Sequence, residues 1–368
     1  MNKINQLDVK YNKEDYSTFL GSGGFAELFL GLLQDHKNIE IKAVIPVALK
    51  FCKRLKQDDG YACANEQLLA EADILSKCST CPTIIHSYGT LTNSEISLIL
   101  ELGLQSLYQL LYQKDSKFSI DRIPLKARLD FKLTIAADCI RGLEFLHSLN
   151  ISHNDIKSDN VMLFPDGYFK LIDLGLAKPV EKILSRRRSK SDSAALIPEP
   201  AVYCKGNPSY QAPEMFLSPP IRSAASDVYG FAILVNEILT EAQPMHDTCS
   251  VAMHPLQVCG GARPKIIQQY ELQQYIPYIK ESNCIEEVTK RLQHLIRTGW
   301  DPQMKNRPLA KAMNASLSKL IAGIGDEFRP SDMIAKYFYE QEHVTAESFC
   351  GSKESSHPPS PTSVSSLF

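Results

Sequence analysis

One short stretch limits what this chain can fold into more than any other. It is His153-Asn154-Asp155-Ile156-Lys157-Ser158-Asp159-Asn160, with Asp173-Leu174-Gly175 opening thirteen residues past Asn160. Carboxylates, a lysine and an amide on neighbouring turns form the inventory needed to hold metal ions on a polyphosphate and to orient a hydroxyl toward it. Between the clusters, Val161-Met162-Leu163-Phe164 and Phe169-Lys170-Leu171-Ile172 are apolar runs around the turn signal Pro165-Asp166-Gly167-Tyr168. The pattern predicts strand, turn, strand. Such a hairpin brings Asn160 and Asp173 side by side at its open end. Taken singly, Asp155 and Asp159 read equally well as loop-capping residues.

Upstream, residues 16 to 51 read as strands. Tyr16 to Leu20 leads into Gly21-Ser22-Gly23-Gly24-Phe25-Ala26, then Leu28-Phe29-Leu30-Gly31, and a β-branched run ends at Lys50. Glycines let a backbone turn tightly and approach phosphates, although plain hairpins carry such runs too. A dinucleotide-binding fold would open a helix at this point; a strand follows instead. A lysine closing the apolar strand Val47-Ala48-Leu49-Lys50 is costly unless paired. A helical pattern follows from Asn65 to Cys78 with Glu66 and Glu71 between its apolar positions, so carboxylates are at hand; an edge charge in solvent is the alternative. Ile84-Ile85 and Ile96 to Leu100 read as further strands. Beyond Glu101 the periodicity turns helical, most clearly over Arg128–Leu149, then Ala224–Thr240, Cys284–Thr298 and Leu309–Ile324. A β-rich first quarter before a helical remainder predicts an α+β arrangement of two lobes linked near Glu101 to Leu104.

These stretches together resemble the eukaryotic protein kinases. The first run is similar to the catalytic loop H-R-D-x-K-x-x-N, Asp173-Leu174-Gly175 to the metal-binding D-F-G, and Val47-Ala48-Leu49-Lys50 to the third-strand V-A-I-K. Ala212-Pro213-Glu214 is similar to A-P-E, Ser226-Asp227-Val228-Tyr229-Gly230-Phe231 to the start of the large lobe's central helix, and Trp300-Asp301-Pro302 with Arg307-Pro308 to the family's late arginine. The resemblance runs from about Tyr16 to Ile324. It implies a bilobal kinase fold, with a small β-rich N-lobe over 16–101 and a larger helical C-lobe over 102–325. Residues 1–15 are then an N-terminal extension. Residues 326–368 are a C-terminal one, with a short helical pattern over Ser331 to His343 and a Ser/Pro-rich stretch, read as disordered, from about 351.

The resemblance also assigns roles. Lys50 holds the α/β-phosphates of ATP and Glu71 holds Lys50. Asp155 accepts the substrate hydroxyl's proton, Lys157 neutralises the transferring phosphoryl group, and Asn160 and Asp173 ligate Mg²⁺. Gly21, Ser22, Gly23 and Gly24 cover the phosphates. Adenine lies between Leu28 and Ala48 above and Met162 below, with Leu100 as gatekeeper and the backbone of Glu101, Leu102 and Gly103 facing the base. Asp227 braces the catalytic loop and Arg307 pairs with Glu214. The implied activity is phosphoryl transfer to protein hydroxyls. Lys157 favours Ser/Thr over Tyr; a nucleotide-binding scaffold of the pseudokinase kind is the alternative.

Departures refine the resemblance. Asn154 stands where most kinases carry arginine, the residue that meets an activation-loop phosphate. That substitution, with the wording around Asp227 and Gly261-Ala262-Arg263-Pro264, resembles the tyrosine-kinase-like branch, including receptor-interacting and plant-receptor-like kinases. Leu174 replaces phenylalanine, Ala26 the third glycine, and Asn207 the usual threonine. Arg186-Arg187-Arg188-Ser189-Lys190-Ser191 reads either as a target of an upstream basophilic kinase at Ser189 or Ser191 or as a solvated insert. Ser366-Leu367-Phe368 fits a carboxylate ligand of β-augmenting domains, a short match that chance also supplies.

Composition narrows the class further. Of 368 residues 44% are apolar, and the formal net charge is -2, which argues against a nucleic-acid binder held by phosphate contacts. No apolar run approaches the ~20 residues of a membrane span. Met1 to Gln6 lacks an apolar signal core, and Asn2 is no myristoylation acceptor. The 10 cysteines are scattered, which predicts reduced thiols and a cytoplasmic setting. Cys78-Ser79-Thr80-Cys81 reads as two thiols at a helix end, with metal or redox use as the alternative.

Overall fold

The computed structural model describes residues 9–324, apart from 24–25, 35–43, 54–57, 93–94, 117, 181–205, 218–219, 246–250 and 279–284. The first lobe is a six-stranded antiparallel sheet with one helix. Its strands are β1 (Val9–Tyr11), β2 (Phe19–Ser22), β3 (Ala26–Gln34), β4 (Val44–Cys52), β5 (Ser87–Thr92) and β6 (Ile96–Glu101), with α1 (Asp58–Lys77) between β4 and β5. They run in the order β1-β3-β4-β6-β5, with β2 also paired to β3. Alternation along β4 sets the lobe's chemistry. Val47, Leu49 and Phe51 join a small core with Val9, Phe29 and Ile99 on one face of the sheet, whereas Ala48 packs into the main core. Successive side chains on a strand point to opposite faces, so Lys50 emerges on the face of Ala48.

Four local expectations shift. Tyr16–Thr18 is a 3₁₀ turn, because Asp15 caps it by accepting from Ser17 N at 2.9 Å; the strand begins at Phe19. Helix α1 starts at Asp58, seven residues before Asn65. Gly60 lies inside it; a glycine within a helix costs only about 1 kcal/mol, which packing elsewhere offsets. Ile84 and Ile85 form no strand: Ile84 makes an isolated parallel bridge to Leu171, and both side chains are buried between the lobes. The strand there is the more polar β5. Val9–Tyr11, in the segment read as an extension, pairs with Gly31 to Leu33.

The second lobe opens with β7 (Gln105–Ser106) and α2 (Leu107–Tyr112), then α3 (Leu125–Ser148), β8 (Ile151–Ser152), β9 (Val161–Leu163), β10 (Phe169–Leu171) and β11 (Lys178–Pro179). Helices α4 (Ala224–Thr240), α5 (His254–Cys259), α6 (Gln269–Leu272), α7 (Ile285–Gly299) and α8 (Ala310–Ile324) complete it. Helix α4 is buried on every face from Ser226 to Leu239 and is the axis of the lobe. Beside it, Arg307 forms a two-pronged ion pair with Glu214, at 2.6 and 2.9 Å. The hairpin is present: β9 and β10 pair with Val161 opposite Leu171, and Ile172 N donates to Asn160 O at 2.9 Å. Gly167, at φ 81°, supplies the turn conformation that side chains resist. Cys78 and Cys81 lie buried in the turn after α1, and burial pushes the Cys78 thiol up to about 12. Among the described residues no helix is long and apolar enough to cross a membrane.

Candidate active site

Between the lobes lies a cleft of about 650 Å³. Lys50 reaches into it from β4 and Glu71 from α1. The ammonium meets both Glu71 oxygens at 2.8 Å and Asp173 Oδ1 at 2.8 Å. Glu71 is 3% exposed, so neither charge would persist there without the other. Burial works against the Lys50 ammonium, but Glu71 and Asp173 outweigh it and hold its pKa above the usual lysine value. Burial also opposes the charge on Asp173, and Lys50 more than offsets it, leaving the carboxyl below its ordinary range. Asp173 sits at φ 57°, a left-handed conformation that aspartate tolerates better than most side chains. It caps the short turn Leu174–Leu176 that follows.

Below, the catalytic-type loop is pinned from α4. Asp227 Oδ2 accepts from His153 N and Oδ1 from Asn154 N, both at 2.8 Å. Asn160 Nδ2 donates to Asp155 O at 2.8 Å and to Asp155 Oδ2 at 2.7 Å, and Lys157 Nζ lies 3.0 Å from the same Oδ2. With both amide hydrogens used on Asp155, Asn160 Oδ1 is the donor left for a cation. Joined by the half-exposed Asp173 carboxylate, it makes an oxygen-only donor set suited to a hard cation.

The cleft wall includes Gly23, Leu28, Ala48, Leu100, Glu101, Leu102, Gly103 and Met162 together with the polar set. Gly21 and Ser22 pair with Leu28 and Glu27 at the end of β2, between Leu20 and Gly23, which line the cleft. Gly24 lies outside the described residues, as do the basic serine cluster with Ser189 and Ser191, the segment Ser331 to His343 and the Ser/Pro-rich terminus. At the link between lobes, the Glu101 carboxylate accepts from His86 N at 2.6 Å and from the buried Lys170 at 2.8 and 3.0 Å. A Cβ on Gly103 would overlap Met162 Sδ and stand 2.6 Å from Met162 Cγ. The thioether thus fills the notch that the missing side chain leaves.

Sequence reasoning missed Gly206. It adopts φ 100°, and a Cβ there would come within 2.7 Å of Asp155 Oδ1. Glycine before Asn207-Pro208 was the available signal. It also missed a buried carboxylate beneath the loop. Glu237 on α4 accepts from Tyr210 at 2.8 Å and from Ser158 and Tyr112 at 2.9 Å each. Burial pushes its carboxyl up to about 7 despite those three donors. The folded state therefore holds this proton from the ordinary carboxyl range up to about 7, and the stability it adds is lost as pH rises through that window. Relative to wild type, Glu237→Gln should gain thermal stability by several degrees between about pH 5.5 and about pH 8. A pH-independent difference in thermal melts would contradict it.

Comparisons with known proteins point to one family. Residues 15–317 match the protein kinase domain family. An Arabidopsis thaliana protein named "Probable receptor-like serine/threonine-protein kinase" is 27% identical over 295 residues, covering 77% of this chain and 45% of that protein. A dual specificity protein kinase, shkB, of Dictyostelium discoideum is 26% identical over 356 residues, covering 94% of this chain and 46% of its own. The proto-oncogene serine/threonine-protein kinase mos of Sus scrofa is 25% identical over 321 residues, covering 83% and 80%. The chain thus spans under half the length of the first two of these relatives.

Proposed function

The chain belongs to the protein kinase domain family, and on that premise we propose that it transfers the γ-phosphoryl group of ATP to protein hydroxyls, of the Ser/Thr type. One observation carries the reading. An ammonium, three carboxylates and an amide from four separate segments converge on one cleft. Lys50, fixed by Glu71, holds phosphate oxygens. Asp155, aimed by Asn160 and Lys157, accepts the proton of the attacking hydroxyl, and Lys157 offsets charge on the group in transit. Asn160 and Asp173 hold Mg²⁺, which when bound supplies positive charge to the phosphate oxygens. Leu28 and Ala48 above and Met162 below flank the base, Leu100 is the gatekeeper, and the backbone of Leu102 and Gly103 faces its edge.

The finer parts belong to the same proposal. The kinase domain spans 16–325 and the setting is cytoplasmic. Asn154 supports a place in the tyrosine-kinase-like branch, as does the receptor-like name of one relative. Ser189 or Ser191 is proposed as the target of an upstream basophilic kinase. The scaffold reading keeps one specific support: Asn207 spends its side chain capping Ser209 N at 3.1 Å, where a threonine hydroxyl would otherwise face the acceptor.

Incubation with γ-labelled ATP, Mg²⁺ and a generic protein acceptor is expected to yield labelled phosphoserine or phosphothreonine on hydrolysis. Labelled phosphotyrosine alone would overturn the Ser/Thr assignment. Gly103→Ala is expected to drive the Met162 thioether toward the base and raise the KM for ATP roughly tenfold, the scale of mild overpacking. Adding Met162→Val should restore most of it. A single variant with unchanged KM would show that the notch does not shape the base site.

A further inference from the structure

We propose that Asn154 is a positioning residue, its side-chain amide holding the turn after Asp173 against the catalytic-type loop and so aiming the Asp173 carboxylate into the cleft. The inference rests on the reading of Asp173 as a metal ligand. Asn154 Nδ2 donates to Ser152 O at 3.2 Å and to Leu176 O at 3.0 Å. Both partners are carbonyl oxygens, so only the NH₂ end of the amide can face them. Asn154 is itself anchored, its backbone N–H donating to Asp227 Oδ1 at 2.8 Å. A continuous hydrogen-bonded path therefore runs from α4 through Asn154 to Leu176.

Leu176 closes the turn that Asp173 caps. Ala177 N donates to Leu174 O at 3.0 Å, and Gly175 N reaches Asp173 Oδ1 at 3.4 Å. The Asp173 carboxylate is thus tied to Lys50 on its N-lobe side, and the Asn154 amide fastens its turn to the C-lobe. The backbone of Asn154 is suited to this place: at φ 68° asparagine is among the few side chains tolerated. An arginine there would have to adopt the same left-handed backbone and has no short amide to reach Leu176 O. In this chain the loops are joined by an internal amide that needs no phosphate.

Groups that orient a metal's ligands typically carry about 10–100-fold in metal affinity or activity. Asn154→Gly is the decisive variant, because glycine keeps the left-handed backbone without strain and removes only the amide. Asn154→Asp is the second, isosteric but without N–H donors. In the full chain, both are expected to raise the Mg²⁺ concentration for half-maximal phosphate transfer about tenfold. They should also speed amide hydrogen exchange at Gly175 and Ala177, leaving that of β4 and β6 unchanged. If Asn154→Gly matches wild type in both the Mg²⁺ response and the exchange at these two amides, the positioning role is overturned. Should the wild type transfer no phosphate, the proposed activity fails instead, and the exchange measurement alone still decides the amide's role.

Discussion

Asp173→Asn is expected to lower phosphate transfer by at least about a hundredfold while the protein stays folded. Loss of one preorganised charged contact in a water-poor site typically costs that much in rate. Asparagine is nearly isosteric with aspartate and accepts the same left-handed backbone, φ 57°. The side chain is also half-exposed to the cleft, so packing loses little. The charge is what disappears. Lys50 holds the Asp173 carboxyl below its usual range, so the wild-type residue is ionised throughout the neutral region. An amide neither pairs with the ammonium nor binds a hard cation as a carboxylate does. Steady-state turnover measured beside a thermal melt separates the outcomes. Near-normal turnover would contradict the assignment of Asp173 as a metal ligand.

The largest expected stability effect is far from the chemistry. Arg307→Met should destabilise the fold by about 3–5 kcal/mol, the usual consequence of stranding one partner of a buried pair. Arg307 NH1 and NH2 meet the two oxygens of Glu214 at 2.6 and 2.9 Å, and the guanidinium also donates to Ala225 O at 2.9 Å and Asp301 O at 2.8 Å. Its Cζ lies 5.0 Å from the Tyr229 ring centroid. With arginine gone, Glu214 keeps the Ser226 hydroxyl at 2.9 Å but has lost its countercharge. Thermal unfolding should drop on the order of 10 °C. Removing the stranded charge as well, in Arg307→Met with Glu214→Gln, should recover part of the loss. A drop below about 1 kcal/mol for the single variant would place the pair among weak surface bridges instead.

Much of this architecture is legible in the sequence alone, and the reasons are specific. The hairpin between Asn160 and Asp173 was readable because its strands are apolar and its turn carries Pro165-Asp166-Gly167. Lys50 is readable because Val47-Ala48-Leu49-Lys50 resembles the kinase third strand, and the same resemblance picks Glu71 from the next helical pattern. Short-range signals failed where structure comes from distant pairing. Val9–Tyr11 has only three residues in its strand, too few to show alternation, and owes its conformation to β3. Ile84 and Ile85 are apolar because they plug the space between lobes, a role that looks identical to a strand in sequence. The amide of Asn154 reaching Leu176 and the carboxylate of Glu237 under three hydroxyls join residues 22 and up to 125 positions apart. Neither leaves any periodic trace. The departure at Asn154 was visible as a missing arginine; what the asparagine does instead was visible only in three dimensions.

The gathering of these side chains into one phosphoryl-transfer site can be put to a single comparison. Wild type and Asp155→Asn are assayed together for transfer from γ-labelled ATP to a protein acceptor, with Mg²⁺-dependent ATP binding measured on the same samples. Wild type should transfer phosphate and Asp155→Asn should be slower by at least about a hundredfold, with both binding ATP comparably. Equal silence of the two proteins, with binding intact, would contradict the enzyme and leave a nucleotide-holding scaffold in its place.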